Sequence, residues 1–502
     1  MTRDEIESAL GELLMVGVPG VELTEDLRGR LRNLGPSGVI FFAPNFLDAV
    51  SAARFARAVH EALGRPGAPP LVGVDEEGGM VSQLSGFWEV PPSARAADAS
   101  GGPALVEELA RRTARRLAAL GVNLDFAPCL DIHSNPQNPV IGIRSFGTTA
   151  PQVTACGRAA IDGLRAGGVI PVAKHFPGHG DTSLDSHVAL PSCDANMTRL
   201  FQREIRPFEA AVQAGVPVVM TAHVLFPALD PDPHHPATLS PAIVTSILRE
   251  RMRFQGVVTT DALEMEGVRG LADWGEIAVR AVEAGCDLLL YSKLEPGPEA
   301  ALAALRGALA SGRLAPERVA ASIGRIRKLR AGCAPPPPLT DALLREARDL
   351  LTAEELTGIA SGALRVLRQG AGNIPVRSPI DVLEVNRPAS RVPLAELLRA
   401  LGADAREQGP DPSGWPHAIA GGAVLTIAAR SLVGEEDERV ARAWLRRFPE
   451  TVTVACLNPH VADGWEEVRT LLATFDNTPA SRRALAARLV TASPPSRGHR
   501  GK

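Results

Sequence analysis

The sequence predicts an α/β fold in which a TIM (β/α)8 barrel is followed by a smaller α/β sandwich domain. Short apolar runs alternate with longer amphipathic stretches eight times between about residue 10 and residue 330. The runs are nearly continuous in Val, Ile and Leu, as expected for parallel strands buried on both faces. Several runs end in a polar side chain, and barrel strands end at one common face. A doubly wound open sheet is the alternative, but eight consecutive units favour closure.

The predicted barrel strands are the apolar runs themselves, which cover residues 13–18, 38–42, 70–75, 122–127, 170–175, 216–223, 256–261 and 287–292. The amphipathic stretches between them predict helices, and each ends near a glycine or a basic residue, as helix C-termini prefer. They cover residues 103–120, 151–166, 199–215, 241–253 and 272–284. The polar side chains at strand ends are Asp75, Asp125, His175, His223, Asp261 and Ser292.

The chain is predicted to divide after the barrel, which we assign to residues 1–333. Residues 334–362 contain four consecutive prolines, a stiff extended spacer, and then a connecting helix. Residues 363–490 form the predicted C-terminal α/β domain, and residues 491–502 a disordered tail. Strands of the second domain are predicted at 380–385, 423–428 and 452–457, and helices at 394–401, 435–447 and 479–489.

Composition excludes several classes of protein. The chain has 502 residues, 45% hydrophobic and 22% charged, with a formal charge of −4 and a pI near 6.3. Such a charge gives no long-range attraction to nucleic acid or to an anionic membrane. The acidic N-terminus is unlike a signal peptide, and no run is long enough for a membrane span. We therefore expect a cytoplasmic protein, with six scattered cysteines as free thiols.

The most informative segment is KHFPGHGDTSLDSHVALP at residues 174–191. It follows an apolar strand and combines histidines, aspartates and a lysine with glycine and proline. A cluster of titratable groups just past a buried strand usually faces a ligand. Within it, Asp185 and His187 have the spacing of a carboxylate–imidazole dyad, in which the aspartate fixes the tautomer of a general acid–base histidine.

A metal site is the alternative for this segment, because its histidines and aspartates offer nitrogen and oxygen ligands. No second His-x-His pair is evident near the first strand, which disfavours a metal. The ligands would be His175, His179, Asp181, Asp185 and His187.

Four other positions are candidates for chemistry. Asp261 is predicted to be a nucleophile, a base or a metal ligand, or else the N-cap of a helix beginning in DALEMEG. Asp75 opens DEEGG, in which we expect Glu76 and Glu77 to be solvated. Arg144 is able to bind a substrate hydroxyl or carboxylate, or to form a surface ion pair. His223 fits either the site or the core.

Five motifs in order closely resemble glycoside hydrolase family 3 β-N-acetylglucosaminidases of the NagZ-like, two-domain type. The longest is the segment at 174–191, and a fainter likeness covers residues 457–465 and 473–489 of the second domain. The other four motifs are VDEEGG at 74–79, IGIRSFG at 141–147, VMTAH at 219–223 and TTDALEM at 259–265.

The resemblance implies a retaining reaction in which Asp261 forms a glycosyl-enzyme intermediate. His187 would be the acid/base, assisted by Asp185. Arginines often follow Gly79 in this group, whereas this chain has Met80 and Gln83. Substrate-binding roles fall on Asp75, Arg144, Lys174, His175 and His223, and in two-domain members the C-terminal domain also lends residues, here Asp476 and Asn477.

We therefore expect an exo-β-N-acetylglucosaminidase that acts in the cytoplasm on muropeptides or other GlcNAc-terminated cell-wall fragments during peptidoglycan recycling. Neither a metal nor an organic cofactor is implied, and the only expected partner is a small carbohydrate, not nucleic acid or membrane. Four alternatives remain open: a phosphorylase on the same scaffold, a metal-dependent hydrolase using the His/Asp loop, a β-glucosidase, and an inactive sugar-binding protein.

Overall fold

The computed structural model describes residues 1–65, 67–184, 190–370, 374–386, 392–430 and 433–490. The chain forms two compact units. The first comprises Met1–Pro91 and Gly102–Leu351, and the second comprises Pro92–Gly101 and Thr352–Lys502. A short segment early in the chain thus belongs to the second unit, an exchange that the sequence pattern does not predict.

The first unit contains an eight-stranded parallel sheet in which chain neighbours pair in order. Its first strand pairs with both the second and the eighth, and an isolated bridge joins Thr259 to Leu288. The predicted (β/α)8 barrel is therefore confirmed, and the open-sheet alternative is wrong. The strands are β1 (Leu14–Gly17), β2 (Gly38–Ile40), β3 (Leu71–Val74), β4 (Leu124–Asp125), β5 (Ile170–Phe176), β6 (Val218–Thr221), β7 (Val257–Thr259) and β8 (Leu289–Tyr291).

Helices follow the strands of the first unit, with two departures from prediction. The stretch at 199–215 is interrupted by a π-helical turn at Leu200–Glu204, and residues Ala242–Arg251 form a π-helix. Among the described helices, none has both the length and the hydropathy needed to cross a bilayer. The α-helices are α1 (Arg3–Ser8), α2 (Glu25–Leu34), α3 (Ala49–Leu63), α4 (Ala94–Leu120, broken at Gly102), α5 (Ala150–Ala166), α6 (Met197–Arg199), α7 (Arg206–Gln213), α8 (Glu266–Arg269), α9 (Trp274–Ala284), α10 (Gly297–Ser311), α11 (Pro316–Ala331) and α12 (Asp341–Asp349).

Close packing fills the interior of the barrel. A Cβ placed on Gly73 of β3 would lie 2.6 Å from Cε of Met15 and 3.0 Å from the ring of Phe126. Only glycine therefore leaves room for these two buried side chains, because interiors are packed to crystal-like density. The barrel is thus a solid core, and any reaction must take place at one of its ends.

Buried ion pairs fasten helices to the barrel. Glu12, which is 2% exposed, accepts hydrogen bonds from Arg327 at 2.9 and 3.0 Å and from Arg65 at 2.9 Å. Asp287, fully buried, is bound by Arg325 at 2.8 Å. The two carboxylates connect α11 to the segments that lead into β1 and β8, and their full charges are paired in this low-dielectric interior.

The second unit contains a six-stranded sheet in the order β11-β10-β12-β13-β14-β9, parallel except for its edge strand β9. Trp444 packs against Trp415 and Phe448 on one face. The predicted α/β sandwich is confirmed, although three of its strands escaped the sequence pattern. The elements are α13 (Ala353–Ala363), β9 (Arg365–Arg368), β10 (Ile380–Val385), α14 (Leu394–Ala400), β11 (Ala405–Gln408), β12 (Gly422–Ile427), α15 (Glu435–Arg447), β13 (Val452–Ala455), β14 (Thr470–Ala473) and α16 (Pro479–Val490).

Candidate active site

Polar side chains converge at the carboxyl end of the barrel strands, the end at which barrel enzymes act. Asp75 directly follows β3, and Lys174 lies within β5. These two residues are joined by a contact of 2.6 Å between Nζ and Oδ1. Asp261 lies just past β7, and Lys174 and His175 are close enough to lower the pKa of its carboxylate.

The ammonium group of Lys174 is buried, with a side chain 2% exposed. Its Nζ donates to Asp75 and lies 2.6 Å from Oε1 of Glu77. Burial by itself would lower the pKa of Lys174, but the carboxylates of Asp75 and Glu77 outweigh it and raise the pKa. Lys174 is therefore a permanent cation at the end of β5.

The carboxylate of Glu77 joins two of the predicted site cations. Arg144 donates to it from Nε at 2.9 Å and from Nη2 at 2.8 Å, in the bidentate geometry that suits a guanidinium. Burial would raise the pKa of Glu77, but Arg144 and Lys174 hold it at about 2. The side chain is 5% exposed, so the expectation that Glu77 is solvated is wrong. An alternating apolar–polar pattern cannot reveal such a residue, because its burial depends on two distant cations.

Glu76 is also buried, at 3% exposure, and the expectation of a solvated side chain is wrong here too. It accepts hydrogen bonds from the Ser82 hydroxyl at 2.7 Å and from the backbone N–H groups of Gln83 and Leu84 at 2.7 and 3.2 Å. Burial raises its pKa to about 7, despite these donors and the nearby Arg116. Glu76 therefore shapes the loop after β3.

Gln83 holds the loops after β2 and β3 together. Its Oε1 accepts from the backbone N–H of Ala43 at 2.8 Å, and its Nε2 donates to the carbonyl of Asp75 at 3.3 Å. At this position, where the resemblance leads us to expect arginine, the side chain is neutral and is used within the protein.

The sequence pattern did not single out Asp131, which positions His175. Its Oδ2 lies 2.6 Å from Nδ1 of His175, and its Oδ1 accepts from the backbone N–H of His179 at 2.6 Å. Burial would raise the pKa of Asp131, but His175 and His179 hold it below its usual range. Nε2 of the same ring lies 3.5 Å from Nη2 of Arg144. The sequence does contain a signal for Asp131: in CLDIH, the polar residues Asp131 and His133 follow the short strand β4.

Asp125 ends β4, as predicted, but it points into a fully buried environment. Its Oδ1 accepts from the backbone N–H of Glu76 at 2.9 Å, while Oδ2 has no hydrogen-bond partner among the described residues. Burial raises its pKa well above the usual range. A neutral Asp125 therefore supports the loop that carries Asp75 and Glu77.

Asp261 is half-buried and begins no helix. Its Oδ1 accepts from the adjacent N–H of Ala262 at 2.7 Å, and the next helix, α8, is preceded by Met265. The capping alternative is therefore wrong. Burial would raise the pKa of Asp261, but the facing His223 and His175 lower it below its usual range. The carboxylate is thus ionised at neutral pH.

His223 lies just beyond β6 and is 1% exposed. Its Nε2 lies 3.0 Å from the carbonyl oxygen of Ala262, and its Nδ1 lies 2.8 Å from the hydroxyl of Thr238. Both ring nitrogens thus bond to the protein, and one of them holds the backbone next to Asp261. A contact with substrate stays a prediction.

Asp185 and His187 lie outside the described residues. Of the flanking residues, Nδ1 of His179 lies 2.9 Å from the Thr182 hydroxyl, and Asp181 is paired with Arg203 at 2.9 Å. Burial lowers the pKa of His179 to about 4, so its imidazole is neutral.

Donor atoms for a metal come within reach of each other at one place in the described part of the chain. The ligand atoms of Cys129, Asp131 and His175 lie within 4.8 Å of one another. The Cys129 Sγ, however, donates to Asp131 at 3.2 Å, and burial raises the pKa of its thiol well above the usual range. The Asp131 carboxylate is engaged by His175 as well, so these groups fit a hydrogen-bonded relay better than a metal centre.

Asp476 and Asn477 of the second unit are buried at 2% and 4% exposure. The carboxylate of Asp476 accepts from the backbone N–H groups of Ser93 at 3.1 Å and Asn477 at 2.7 Å. Burial raises the pKa of Asp476 to about 6. In this unit Asp476 fastens the Pro92–Gly101 segment.

Comparison with known proteins identifies a family that this chain matches. Residues 5–329 match the family described as Glycosyl hydrolase family 3 N terminal domain. A β-hexosaminidase of Methylococcus capsulatus is 35% identical over 316 residues, which cover 62% of this chain and 92% of that protein. Beta-hexosaminidase A of Pseudoalteromonas piscicida is 33% identical over 315 residues, and this match spans only 53% of the relative.

A solved structure resembles almost the whole chain. The glycoside hydrolase family 3 β-N-acetylglucosaminidase from Paenibacillus sp. str. FPU-7 superimposes with a TM-score of 0.84 at 33% identity. The match covers 96% of each chain, so it includes the second unit.

Proposed function

Because this chain belongs to glycosyl hydrolase family 3 and is an enzyme that acts on O-glycosyl bonds, we propose that it is a retaining exo-β-N-acetylglucosaminidase. It removes a non-reducing terminal N-acetylglucosamine through a glycosyl-enzyme intermediate on Asp261. The observation that carries the proposal is the buried array of Lys174, Arg144 and Glu77 beside Asp261, at the catalytic end of the barrel.

Asp261 supplies the nucleophile. A retaining glycosidase needs an ionised carboxylate on one face of the anomeric carbon, and the depressed pKa of Asp261 keeps it in that form. Its Oδ1 is held by the N–H of Ala262, which fixes the direction of the carboxylate. The second oxygen is the one that we propose attacks the anomeric carbon.

The reaction proceeds in two displacements. Asp261 attacks the anomeric carbon, the electron pair of the C1–O bond passes to the leaving oxygen, and His187 protonates that oxygen. His187 then removes a proton from water, which attacks C1 and expels the Asp261 carboxylate. Asp185 stabilises the imidazolium form of His187 between the two steps. The roles of His187 and Asp185 rest on their motif.

The cations and carboxylates around the nucleophile suit a small ring with many hydroxyls. Lys174 and Arg144 are hydrogen-bond donors, Asp75 is an acceptor, and Nε2 of His175 lies beside Arg144. Each group is oriented by a second residue of the protein, so a sugar hydroxyl or the acetamide meets fixed partners. A site of this kind rejects an analogue that lacks one of those groups, because a buried polar atom would then be left unpaired.

We extend the proposal to the substrate. The substrate is a GlcNAc-terminated peptidoglycan fragment that is cleaved in the cytoplasm during recycling, and the leaving group is the remainder of that fragment. No metal or organic cofactor takes part. The naming of a similar structure as a β-N-acetylglucosaminidase supports the choice of sugar.

The test is the initial rate of nitrophenyl β-N-acetylglucosaminide cleavage by the purified chain, with a chelator present, in buffers with and without phosphate. We expect turnover in the presence of the chelator that is the same with and without phosphate and that releases free N-acetylglucosamine. Sugar 1-phosphate as product would assign the phosphorylase alternative, and restoration of activity only by added metal would assign the metal-dependent one. Preference for the glucoside over the N-acetylglucosaminide would reassign the substrate.

A further inference from the structure

A cavity of about 750 Å³ opens at the amino-terminal end of the barrel strands, the end opposite the candidate active site. Its walls are the starts of β5, β6 and β7 and the carboxyl end of α11. The volume lies within the range of sites for small organic molecules. All of its lining residues belong to the first unit and to the described chain.

The inner wall is apolar. Val169, Val216 and Phe254 are buried, while Val212 and Leu329 are half-buried and present apolar surface to the cavity. Exposure of apolar surface to water is unfavourable, so covering this wall with an apolar part of a ligand lowers the free energy. The wall therefore favours a ligand with an aliphatic or aromatic part.

The rim is positively charged. Arg165, Arg253 and Lys328 are exposed there. Arg165 donates from Nη1 to the carbonyl oxygen of Ala214 at 3.2 Å, and none of the three forms an ion pair with a described residue. Arg325 also lines the cavity, but its guanidinium is bound to Asp287. Within the described chain no aspartate or glutamate lines the cavity. The positive charge of the rim is therefore unbalanced and favours an anion.

Arg253 has a backbone conformation that arginine disfavours. Its φ is 58°, in the left-handed region, just after Met252, the residue that caps the helix Ala242–Arg251. Glycine usually takes this position at a helix end, and a residue with a Cβ costs roughly 1 kcal/mol or more there. The turn does not depend on the Arg253 side chain, because Nη1 of Arg249 clamps it by donating to the carbonyls of Phe254 at 3.2 Å and Gly256 at 2.6 Å. An arginine at a strained position on a rigid turn indicates use of its charge.

We propose that this cavity binds an amphiphilic organic anion, with its carboxylate or sulfonate at Arg165, Arg253 and Lys328 and its apolar body against Phe254 and Leu329. The site is independent of the glycosidase reaction, since it lies at the other end of the strands. Its ligand carries one charged head, because the cations lie on the rim and the inner wall is apolar.

The first experiment is a fluorescence titration of the full chain with 8-anilinonaphthalene-1-sulfonate, followed by displacement with decanoate. We expect saturable binding at one site, displaced by decanoate and not by the same concentration of decanol. Arg253→Gly and Lys328→Gln should each weaken Kd by roughly two- to fivefold, the range for a partly exposed ion pair, and the double variant by the product.

The control variant is Arg306→Gln, which removes an exposed positive charge of the first unit outside the cavity and should leave Kd unchanged. Arg253→Gly is expected to fold, because glycine adopts the left-handed conformation without strain. Equal displacement by decanol and decanoate would overturn the proposal. So would binding that does not saturate, or binding of the same strength in the wild type and the double variant.

Cys333 provides a second readout. It lines the cavity and is half-buried, whereas the other five cysteines are buried. Alkylation with a bulky maleimide at Cys333 is expected to abolish probe binding, and decanoate is expected to slow the alkylation. An alkylated protein that binds the probe as well as the unmodified protein would contradict the assignment.

Discussion

The guanidinium of Arg144 and the carboxylate of Glu77 form a bidentate pair, at 2.9 and 2.8 Å, and the same carboxylate lies 2.6 Å from Nζ of Lys174. One buried anion therefore fixes two cations, Lys174 of β5 and Arg144 of the connection between β4 and α5. The positions of both cations relative to Asp261 depend on Glu77, although Glu77 has no role of its own in the proposed chemistry.

Glu77→Gln should lower kcat/KM for nitrophenyl β-N-acetylglucosaminide by roughly 10- to 100-fold, because one amide cannot replace a carboxylate shared by two buried cations. Loss of a positioning role should raise KM and lower kcat together. Glu61→Gln on the exposed face of α3 is the matched control and should match the wild type. Wild-type kinetics in Glu77→Gln would show that Arg144 and Lys174 hold their places without it.

Asp261→Asn should abolish turnover for every leaving group, with a loss of about 10⁴-fold or more, because no other carboxylate is proposed to form the glycosyl-enzyme intermediate. The measurement is the steady-state rate with both an activated and an unactivated glycoside. Glu266→Gln, an exposed neighbour in α8, is the control. Activity above one-tenth of the wild-type rate in a freshly purified Asp261→Asn sample would remove Asp261 from the role of nucleophile.

His187→Ala should slow the cleavage of poor leaving groups far more than that of nitrophenolate, which needs little protonation. The general-acid contribution is worth roughly 10²–10⁴ in rate, so the two substrates should separate by at least tenfold. The measurement is the ratio of kcat/KM values for a nitrophenyl glycoside and a GlcNAc-terminated disaccharide. An equal loss for both substrates would contradict a role of His187 as general acid.

Much of the fold was predictable from the sequence because most barrel strands coincide with short apolar runs. The runs that become β5 and β6 each follow a glycine, begin with apolar residues and are almost wholly buried. Strands β9, β11 and β14 were missed since their patterns are short or charged: β9 is Arg365–Arg368, whose residues are all exposed. They become strands only because the edge of an existing sheet supplies hydrogen-bond partners.

The candidate site likewise contains some residues that the sequence predicts and others that it does not. Asp75, Lys174 and Asp261 were predictable, because each follows or ends an apolar run. Glu77 and Asp131 were not, because what distinguishes a buried ion-pair partner from a solvated acid is the position of residues far away in the chain. Arg144 lies 67 residues from Glu77, and His175 lies 44 residues from Asp131. Local patterns carry no information on such pairs.

A pH-dependent loss of stability follows from the burial of Glu76. Burial raises its pKa from 4.5 to about 7, so between these values the folded protein keeps a proton that the unfolded chain releases. The stability that this group contributes is therefore full below pH 4.5 and falls as the pH rises to 7, by on the order of 3 kcal/mol.

The variant Glu76→Gln imitates the protonated form of Glu76. Its amide oxygen accepts from the N–H groups of Gln83 and Leu84, and its amide nitrogen donates to the Ser82 hydroxyl. We expect equal apparent Tm values for variant and wild type at pH 5 and a higher Tm for the variant at pH 8, measured by differential scanning fluorimetry, with Glu61→Gln unchanged at both. A variant less stable than the wild type at pH 8 would contradict a raised pKa of Glu76, because it would mean that Arg116 and the hydrogen-bond donors stabilise the ionised carboxylate in the folded protein.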